Sequence, residues 1–320
     1  MKGLLGFLVL IFVIGVSPSC MTLSPRSEKT GKPKLPQIIA HRGASAYAPE
    51  NTLSSFRLAA EMQSEWFELD CTITKDKEII ICHDDTVDRT TNGKGRIQDM
   101  TLAELRELDA GQWKGNQFAG EHLPTLEEAL DLAKHLSVGV YVEIKSCADD
   151  TTLMQQIKES LADNCHITST TRKELLDRIA QAHTPNLELA NLVVERIERK
   201  HMQKRVVIQS FSPIICLAAK KKAPNLRVEF LGAPKQADDW ENFLWWGLVA
   251  GVDGFNPEHT TLTPAFLMTV HAMGKTVAVW TVDDEKAMKR YTNWGVDRII
   301  TNRPDICRQI IRNTSLSVSK

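Results

Sequence analysis

The sequence lacks a surplus of charge of either sign, because 39 lysines and arginines stand against 40 aspartates and glutamates and the formal net charge is -1. A nucleic-acid-binding domain normally carries a clustered basic surplus. The most notable basic run, Lys220 to Lys222, is typical of a solvated helix end. We therefore expect no nucleic-acid partner.

The cysteines lack the short spacings of a zinc site. Seven occur in 320 residues, and their scattered positions are typical of buried free thiols. Cys71 and Cys82 fall on neighbouring predicted strands and could approach each other. If Cys20 is set aside, we expect free thiols at Cys71, Cys82, Cys147, Cys165, Cys216 and Cys307.

The apolar run from Leu4 to Val16 is too short for a typical transmembrane helix. It follows Lys2 and ends in small residues, so residues 1–20 have the outline of a secretory signal peptide. Cys20 resembles the lipid-modified cysteine of bacterial lipoproteins, although Ser17 stands where that signal usually has leucine. Three alternatives stay open: a lipoprotein, a signal peptide cleaved without lipidation, and an uncleaved anchor.

Residues 21–36 form a linker rich in serine, lysine and proline that is too polar to pack. We expect an exported protein, periplasmic or at the cell surface, that associates with a membrane through its N-terminus. The folded domain is expected over residues 37–315.

Apolar segments alternate with helical patterns along this domain, which indicates repeated βα units and a parallel sheet. The pattern predicts a closed (β/α)8 TIM barrel, a fold that occupies about 250 residues as one domain.

A small insertion is expected after the second strand, at residues 84–124, with a short helix near 102–108. A further helical insertion is expected at residues 147–186, with at least one helix, at 153–162. The predicted strands lie near residues 37–41, 66–72, 139–144, 206–210, 227–231, 252–256, 276–280 and 298–301. The predicted helices lie at residues 51–62, 126–136, 187–200, 213–223, 237–248, 264–273, 285–294 and 305–312.

Acid, base and ligand side chains are concentrated between residues 38 and 85. Glu68 and Asp70 alternate with apolar residues in a predicted strand, so they point the same way with Cα atoms roughly 6.5–7 Å apart. Two such carboxylates repel each other unless a cation lies between them. Glu143 adds a third carboxylate from another strand. All-oxygen ligation of this kind suits Mg²⁺ or Ca²⁺ better than zinc.

Six motifs then resemble the glycerophosphodiester phosphodiesterase family in order and spacing: HRGASAYAPENT, ELD, HDDTVDRTTNGKG, EIK, VWTVD and GVDRIITNRPD. The resemblance covers residues 35–311. It implies hydrolysis of a small glycerophosphodiester to glycerol 3-phosphate and an alcohol, with one divalent cation, Ca²⁺ or Mg²⁺. In the family, a hydroxyl of glycerol attacks phosphorus, and water then opens the cyclic phosphate.

The resemblance also implies roles for individual residues. His41 and His83 would be the catalytic acid and base; we assign His41 as the acid toward the leaving alcohol, with the opposite direction open. Arg42 and Lys145 would neutralise the phosphate, and Trp280 would form a wall against the glycerol carbons. The metal ligands would be Glu68, Asp70 and Glu143.

Several readings stay open at this point. Glu50 is expected to have a structural role, capping a helix or orienting the His41 loop. Related barrels act on lysophospholipids or sphingomyelin in the manner of a phospholipase D, although they lack the HRGA and PENT run. A surface lipoprotein could also keep the barrel only to bind phosphodiesters, but the retention of every acid, base and ligand position argues against this.

Overall fold

The computed structural model describes residues 35–162 and 169–318. The expected signal peptide at residues 1–20, with Cys20, lies outside the described residues, as do Cys165, His166 and all but the last two residues of the 21–36 linker. Within the described residues, no helix has both the length and the apolar character needed to cross a membrane.

Eight parallel strands close into a barrel, which confirms the predicted TIM barrel. Closure is shown by the first strand, since Ile39 lies beside Trp66 of the second strand and beside Ile300 of the last. The strands are β1 (Gln37–Ala40), β2 (Trp66–Ile73), β3 (Ile79–Ile81), β4 (Gly139–Ile144), β5 (Val206–Ser210), β6 (Arg227–Gly232), β7 (Gly254–Pro257), β8 (Thr276–Val279) and β9 (Arg298–Thr301).

The eight strands predicted with bounds do not include β3, although Cys82, which follows it directly, was expected on a strand beside that of Cys71. β3 pairs antiparallel with the end of β2, where Cys71 lies opposite Ile81, so it adds to the barrel wall without joining the closed ring. Its three residues are too few to show a periodic pattern in the sequence. β3 matters for function because His83 follows it by two residues.

Helices on the outside of the barrel agree with the predicted ones to within a few residues, except that the last continues to Val318. Two predicted N-caps are observed: Thr125 accepts from the backbone N–H of Glu128, and Ser212 from that of Ile215. The helices are α1 (Leu53–Glu61), α2 (Leu102–Arg106), α3 (Leu126–Leu136), α4 (Thr151–Ala162), α5 (Ser169–Ala182), α6 (Pro185–Arg199), α7 (Pro213–Lys222), α8 (Ala237–Ala250), α9 (Pro264–Ala272), α10 (Glu285–Trp294) and α11 (Pro304–Val318).

The first insertion, residues 84–124, contains α2 and two short 3-10 helices at Ile97–Asp99 and Asn116–Phe118. It has a small apolar core of its own, formed with one β3 residue: Ile80, Cys82, Val87, Ile97, Leu105, Ala110 and Leu123.

The second insertion, residues 147–186, was predicted to hold at least one helix, and its described part contains α4 and α5. The sequence of α5 is mostly polar, and its weak apolar stripe gave no signal in the sequence. In the described residues the cysteines are free thiols, as predicted: Cys71, Cys82, Cys147, Cys216 and Cys307.

Candidate active site

Three buried carboxylates meet at the carboxyl end of two neighbouring strands. Glu68 and Asp70 lie on β2 and Glu143 on β4, and the strand register places Asp70 directly beside Glu143. One oxygen from each residue lies within 4.8 Å of the others. Burial and the charges of the neighbouring carboxylates raise the pKa of Glu68 well above its ordinary value and that of Glu143 to about 7.

Two side-chain cations flank this acidic triad. Arg42 Nε lies 3.2 Å from Asp70 Oδ2, and the Arg42 backbone N–H donates to Glu68 Oε2 at 2.9 Å. Lys145 Nζ lies 3.1 Å from Glu143 Oε1 and 3.9 Å from Asp70 Oδ1. Although burial opposes it, the carboxylates raise the pKa values of both cations. Two positive charges against three carboxylates leave an excess negative charge, so the donor set fits a hard divalent cation.

His41 follows β1 directly and is held by an amide. Its Nδ1 lies 2.8 Å from Asn302 Oδ1, while Asn302 Nδ2 donates to Asp283 Oδ2 at 2.5 Å. Because a carboxylate only accepts, the amide nitrogen of Asn302 must face Asp283 and its oxygen must face His41. The hydrogen of the neutral imidazole therefore sits on Nδ1, and Nε2 is left as an acceptor. Burial and the nearby Arg42 lower the pKa of His41.

His83 has a different partner, since its Nδ1 lies 2.7 Å from Asp84 Oδ1. Arg89 Nε in turn donates to Asp84 Oδ2 at 2.7 Å. Hydrogen bonds from Arg89, with a smaller one from His83, lower the pKa of Asp84 despite its partial burial. The Asp84 carboxylate therefore stays ionised beside His83.

Glu50 joins the two halves of the site; it does not cap α1, whose N-cap is Thr52, so the capping role expected from the sequence is wrong. It accepts from Arg42 Nη1 at 2.9 Å and from Arg89 Nη1 and Nη2 at 2.9 and 2.8 Å. Although burial opposes it, hydrogen bonds from Arg89 and the charges of both arginines lower the pKa of Glu50 to about 2. The His41 loop and the first insertion are thus tied together at this carboxylate.

A cleft of about 170 Å³ opens above the triad. Trp280 forms one wall, fixed by a hydrogen bond from its indole Nε1 to the Asn256 carbonyl at 2.7 Å. Phe211, which is 46% exposed, meets Trp280 edge to face with ring centroids 5.4 Å apart. In the described part of the chain, the lining includes no histidine beyond the two predicted ones. The predicted residues that line the cleft are His41, Arg42, His83, Glu143, Lys145 and Trp280.

The sequence reasoning did not single out the residues that hold the two histidines. Asn302, Asp84 and Arg89 all lie inside the motifs TNRPD and HDDTVDRTT, so the signal was present. Their pairing with His41 and His83 became visible only in the fold.

The chain is similar to known proteins in sequence and in fold. The model of the glycerophosphoryl diester phosphodiesterase family matches residues 41–306. The chain is 32% identical to the glycerophosphodiester phosphodiesterase of Caldanaerobacter subterraneus over 275 residues, covering 86% of this chain and 97% of the relative. It is also 32% identical to that of Bacillus subtilis over 282 residues, covering 85% of each chain. An Oleispira antarctica phosphodiesterase solved with its product sn-glycerol-3-phosphate has a TM-score of 0.71 at 27% identity, covering 87% of this chain and 97% of that one.

Proposed function

Because the chain belongs to the glycerophosphoryl diester phosphodiesterase family and is an enzyme of that class, we propose that it hydrolyses glycerophosphodiesters by a metal-dependent, two-histidine mechanism. The products would be glycerol 3-phosphate and an alcohol. The observation that carries the proposal is the placement of His41 and His83 around one cleft together with Arg42, Lys145 and the acidic triad. The product complex of the Oleispira antarctica relative supports the same substrate class.

The charges of the cleft match a phosphodiester once a divalent cation is counted. Glu68, Asp70 and Glu143 would hold Ca²⁺ or Mg²⁺, which acts as a Lewis acid toward phosphoryl oxygens when it is bound. The triad with Arg42 and Lys145 carries one net negative charge. The two positive charges of the cation neutralise this charge together with the single negative charge of the diester. Arg42 and Lys145 lie beside the triad and line the cleft, where they can also hydrogen-bond the phosphate.

The partners of the two histidines favour one direction of proton transfer. It is the reverse of our assignment from the sequence, which made His41 the acid and left this alternative open. His41 has a neutral amide partner, a lowered pKa and a free Nε2 acceptor, which suits a general base. His83 holds the Asp84 carboxylate on Nδ1, an arrangement that orients Nε2 for giving a proton to the leaving alcohol. We therefore assign the base role to His41 and the acid role to His83.

In this mechanism His41 takes the proton from a glycerol hydroxyl, whose oxygen attacks phosphorus. The bond from phosphorus to the alcohol oxygen breaks as His83 gives that oxygen a proton. The roles then reverse: His83 takes a proton from water, the water oxygen opens the cyclic phosphate, and His41 returns its proton to the glycerol oxygen. Trp280 would pack against the glycerol carbons and keep water from that side.

The location of the enzyme is also a proposal, supported by the sequence of residues 1–36. We propose export to the periplasm or cell surface, with association to a membrane through the N-terminus. Detection of acyl chains on Cys20 by mass spectrometry of the native protein would separate the lipoprotein from the other two alternatives.

The substrate class is tested by offering the purified full chain several phosphodiesters. We expect glycerol 3-phosphate from glycerophosphocholine and glycerophosphoethanolamine, measured by phosphorus NMR, and little product from lysophosphatidylcholine or sphingomyelin. Preferred cleavage of the two lipids would instead support the phospholipase D-like alternative. Binding of the diesters without any product would support the non-enzymatic one.

Metal affinity should depend on pH because the ligands must lose their protons. Glu143 has a pKa of about 7, so it holds a proton below neutrality and releases it to a cation; the raised pKa of Glu68 acts in the same direction. The apparent affinity for Ca²⁺ or Mg²⁺ should rise roughly tenfold per pH unit for each proton released, and the part due to Glu143 should level off above pH ~7. Calorimetry in two buffers of different ionisation enthalpy counts these protons.

The control for this pH dependence is His41→Gln, which should keep the same slope because His41 is not a ligand. An affinity that does not change between pH ~5.5 and ~8 would show that the triad does not take up protons.

A further inference from the structure

A basic hollow of about 800 Å³ lies on the opposite face of the barrel from the cleft. It is formed where the loops before β5 and β6, residues 201–205 and 223–226, meet the last turn of α3. These segments precede the amino ends of the strands, whereas the active-site residues occupy the carboxyl ends, so the two features face opposite ways. The charged residues of the basic hollow are Lys134, Glu198, Lys204, Arg205 and Lys222, with His201 between them.

Most of the positive charge in the basic hollow is not neutralised. Lys134, Lys204 and Arg205 are exposed, and among residues 35–162 and 169–318 none of their side chains has a hydrogen-bond or ion-pair partner. Lys222 is paired with Glu195, with Nζ 2.8 Å from Oε1. Three free cations therefore share the lining with a single carboxylate, Glu198.

The chain enters the barrel at this same face. β1 begins at Gln37 and runs from the face of the basic hollow toward the cleft, so the described chain enters the barrel on the basic side at residue 35. The sequence before that residue carries the apolar run at residues 4–16. It also has basic residues between that run and the barrel, with a single acidic one among them at Glu28: Arg26, Lys29, Lys32 and Lys34.

We infer that the basic hollow docks on the surface of an anionic phospholipid bilayer and turns the cleft away from the membrane. Lysines and arginines near such a surface are attracted within a Debye length of it. The lining has no Phe, Tyr or Trp on which a nucleic-acid base could stack. In this orientation, water-soluble diesters reach the cleft directly, while lipids still embedded in the bilayer do not.

The test uses the full chain and sedimentation with two kinds of vesicle, pure phosphatidylcholine and equimolar phosphatidylcholine with phosphatidylglycerol. The apolar N-terminal run contributes in both, so the ratio of the two partition coefficients reports the charge-dependent part. We expect a strong preference for the anionic vesicles that weakens as salt is added. The triple variant Lys134→Gln, Lys204→Gln, Arg205→Gln should lower that ratio by roughly a hundredfold.

The matched control removes the same charge from the side of the cleft: Lys94→Gln, Lys286→Gln, Lys289→Gln. These lysines are exposed and lie in the first insertion and in α10, which follows β8. The control should keep the preference, and both triple variants should release glycerol 3-phosphate from dissolved glycerophosphocholine at the original rate, which also shows that they fold. An unchanged ratio in the basic-hollow variant, or no anionic preference in the original chain, would overturn the inference whether or not the enzyme is active.

Discussion

Replacing His41 or His83 by glutamine lowers kcat/KM for glycerol 3-phosphate release by roughly 10²- to 10⁴-fold, the range expected when a positioned acid or base is lost. Both side chains line the cleft, and both have a fixed partner on Nδ1 that directs Nε2 for proton transfer. Glutamine fills similar space and hydrogen-bonds but does not exchange protons near neutral pH. The rate of release from glycerophosphocholine measures the loss.

The two variants should respond differently to the leaving group. p-Nitrophenol leaves as an anion near neutral pH and needs no proton from an acid. With glycerophospho-p-nitrophenol, His83→Gln should therefore recover most of its lost rate, whereas His41→Gln should not, because the attacking hydroxyl still needs a base. Recovery in His41→Gln instead would restore our first assignment of the roles.

A histidine outside the cleft supplies the control for this pair. His135 lies exposed near the end of α3. His135→Gln should have the original rate with both substrates. A loss there as large as in the cleft variants would mean that any histidine change disturbs the enzyme, and the comparison would carry no information on mechanism.

Replacing Glu68 by glutamine has two opposite effects: it removes metal binding and stabilises the metal-free protein. The pKa of Glu68 is raised above its ordinary 4.5, so ionising it in the folded state is unfavourable, and this penalty grows as pH rises above that ordinary value. Neutral glutamine avoids the repulsion from Asp70 and Glu143. At pH ~8 the metal-free variant should melt a few degrees above the metal-free original, since ~1 kcal/mol shifts Tm by roughly 2–4 °C for a chain of this size.

The affinity of Glu68→Gln for Ca²⁺ or Mg²⁺ should fall by at least ~100-fold, because loss of a ligand should exceed the effect of losing an outer hydrogen bond. Differential scanning calorimetry with and without the metal shows both effects in one experiment. Glu107→Gln, at an exposed position after α2, should behave like the original. A Glu68→Gln protein that still gains stability from metal would remove Glu68 from the ligand set.

The barrel could be predicted from the sequence because its strands are short apolar runs that repeat between amphipathic helices. β4, β5 and β9 coincide with their predicted bounds. The bounds of β3 and α5 were not predicted, for physical reasons: three isoleucines show no period, and a polar helix shows little apolar stripe. Both are defined by tertiary packing, β3 against β2 and α5 against α7.

The positions of the candidate site were predictable because alternation in β2 places Glu68 and Asp70 on one face of the strand. The proposed direction of proton transfer was not predictable, since the proposal depends on a hydrogen bond between His41 and Asn302, which are 261 residues apart in the chain. Asp84 lies beside His83 in the sequence, but neighbours in sequence need not touch. The tautomer of His41 follows only when Asp283 is seen behind Asn302.

The central claim is metal-dependent release of glycerol 3-phosphate at the acidic triad. Its most direct test strips the purified full chain with EDTA, adds glycerophosphocholine, and follows glycerol 3-phosphate while Ca²⁺ or Mg²⁺ is restored. We predict no release without metal, recovery with at least one of the two cations, and no recovery in Glu68→Gln. Full activity in the stripped protein, or equal recovery in Glu68→Gln, would contradict the account.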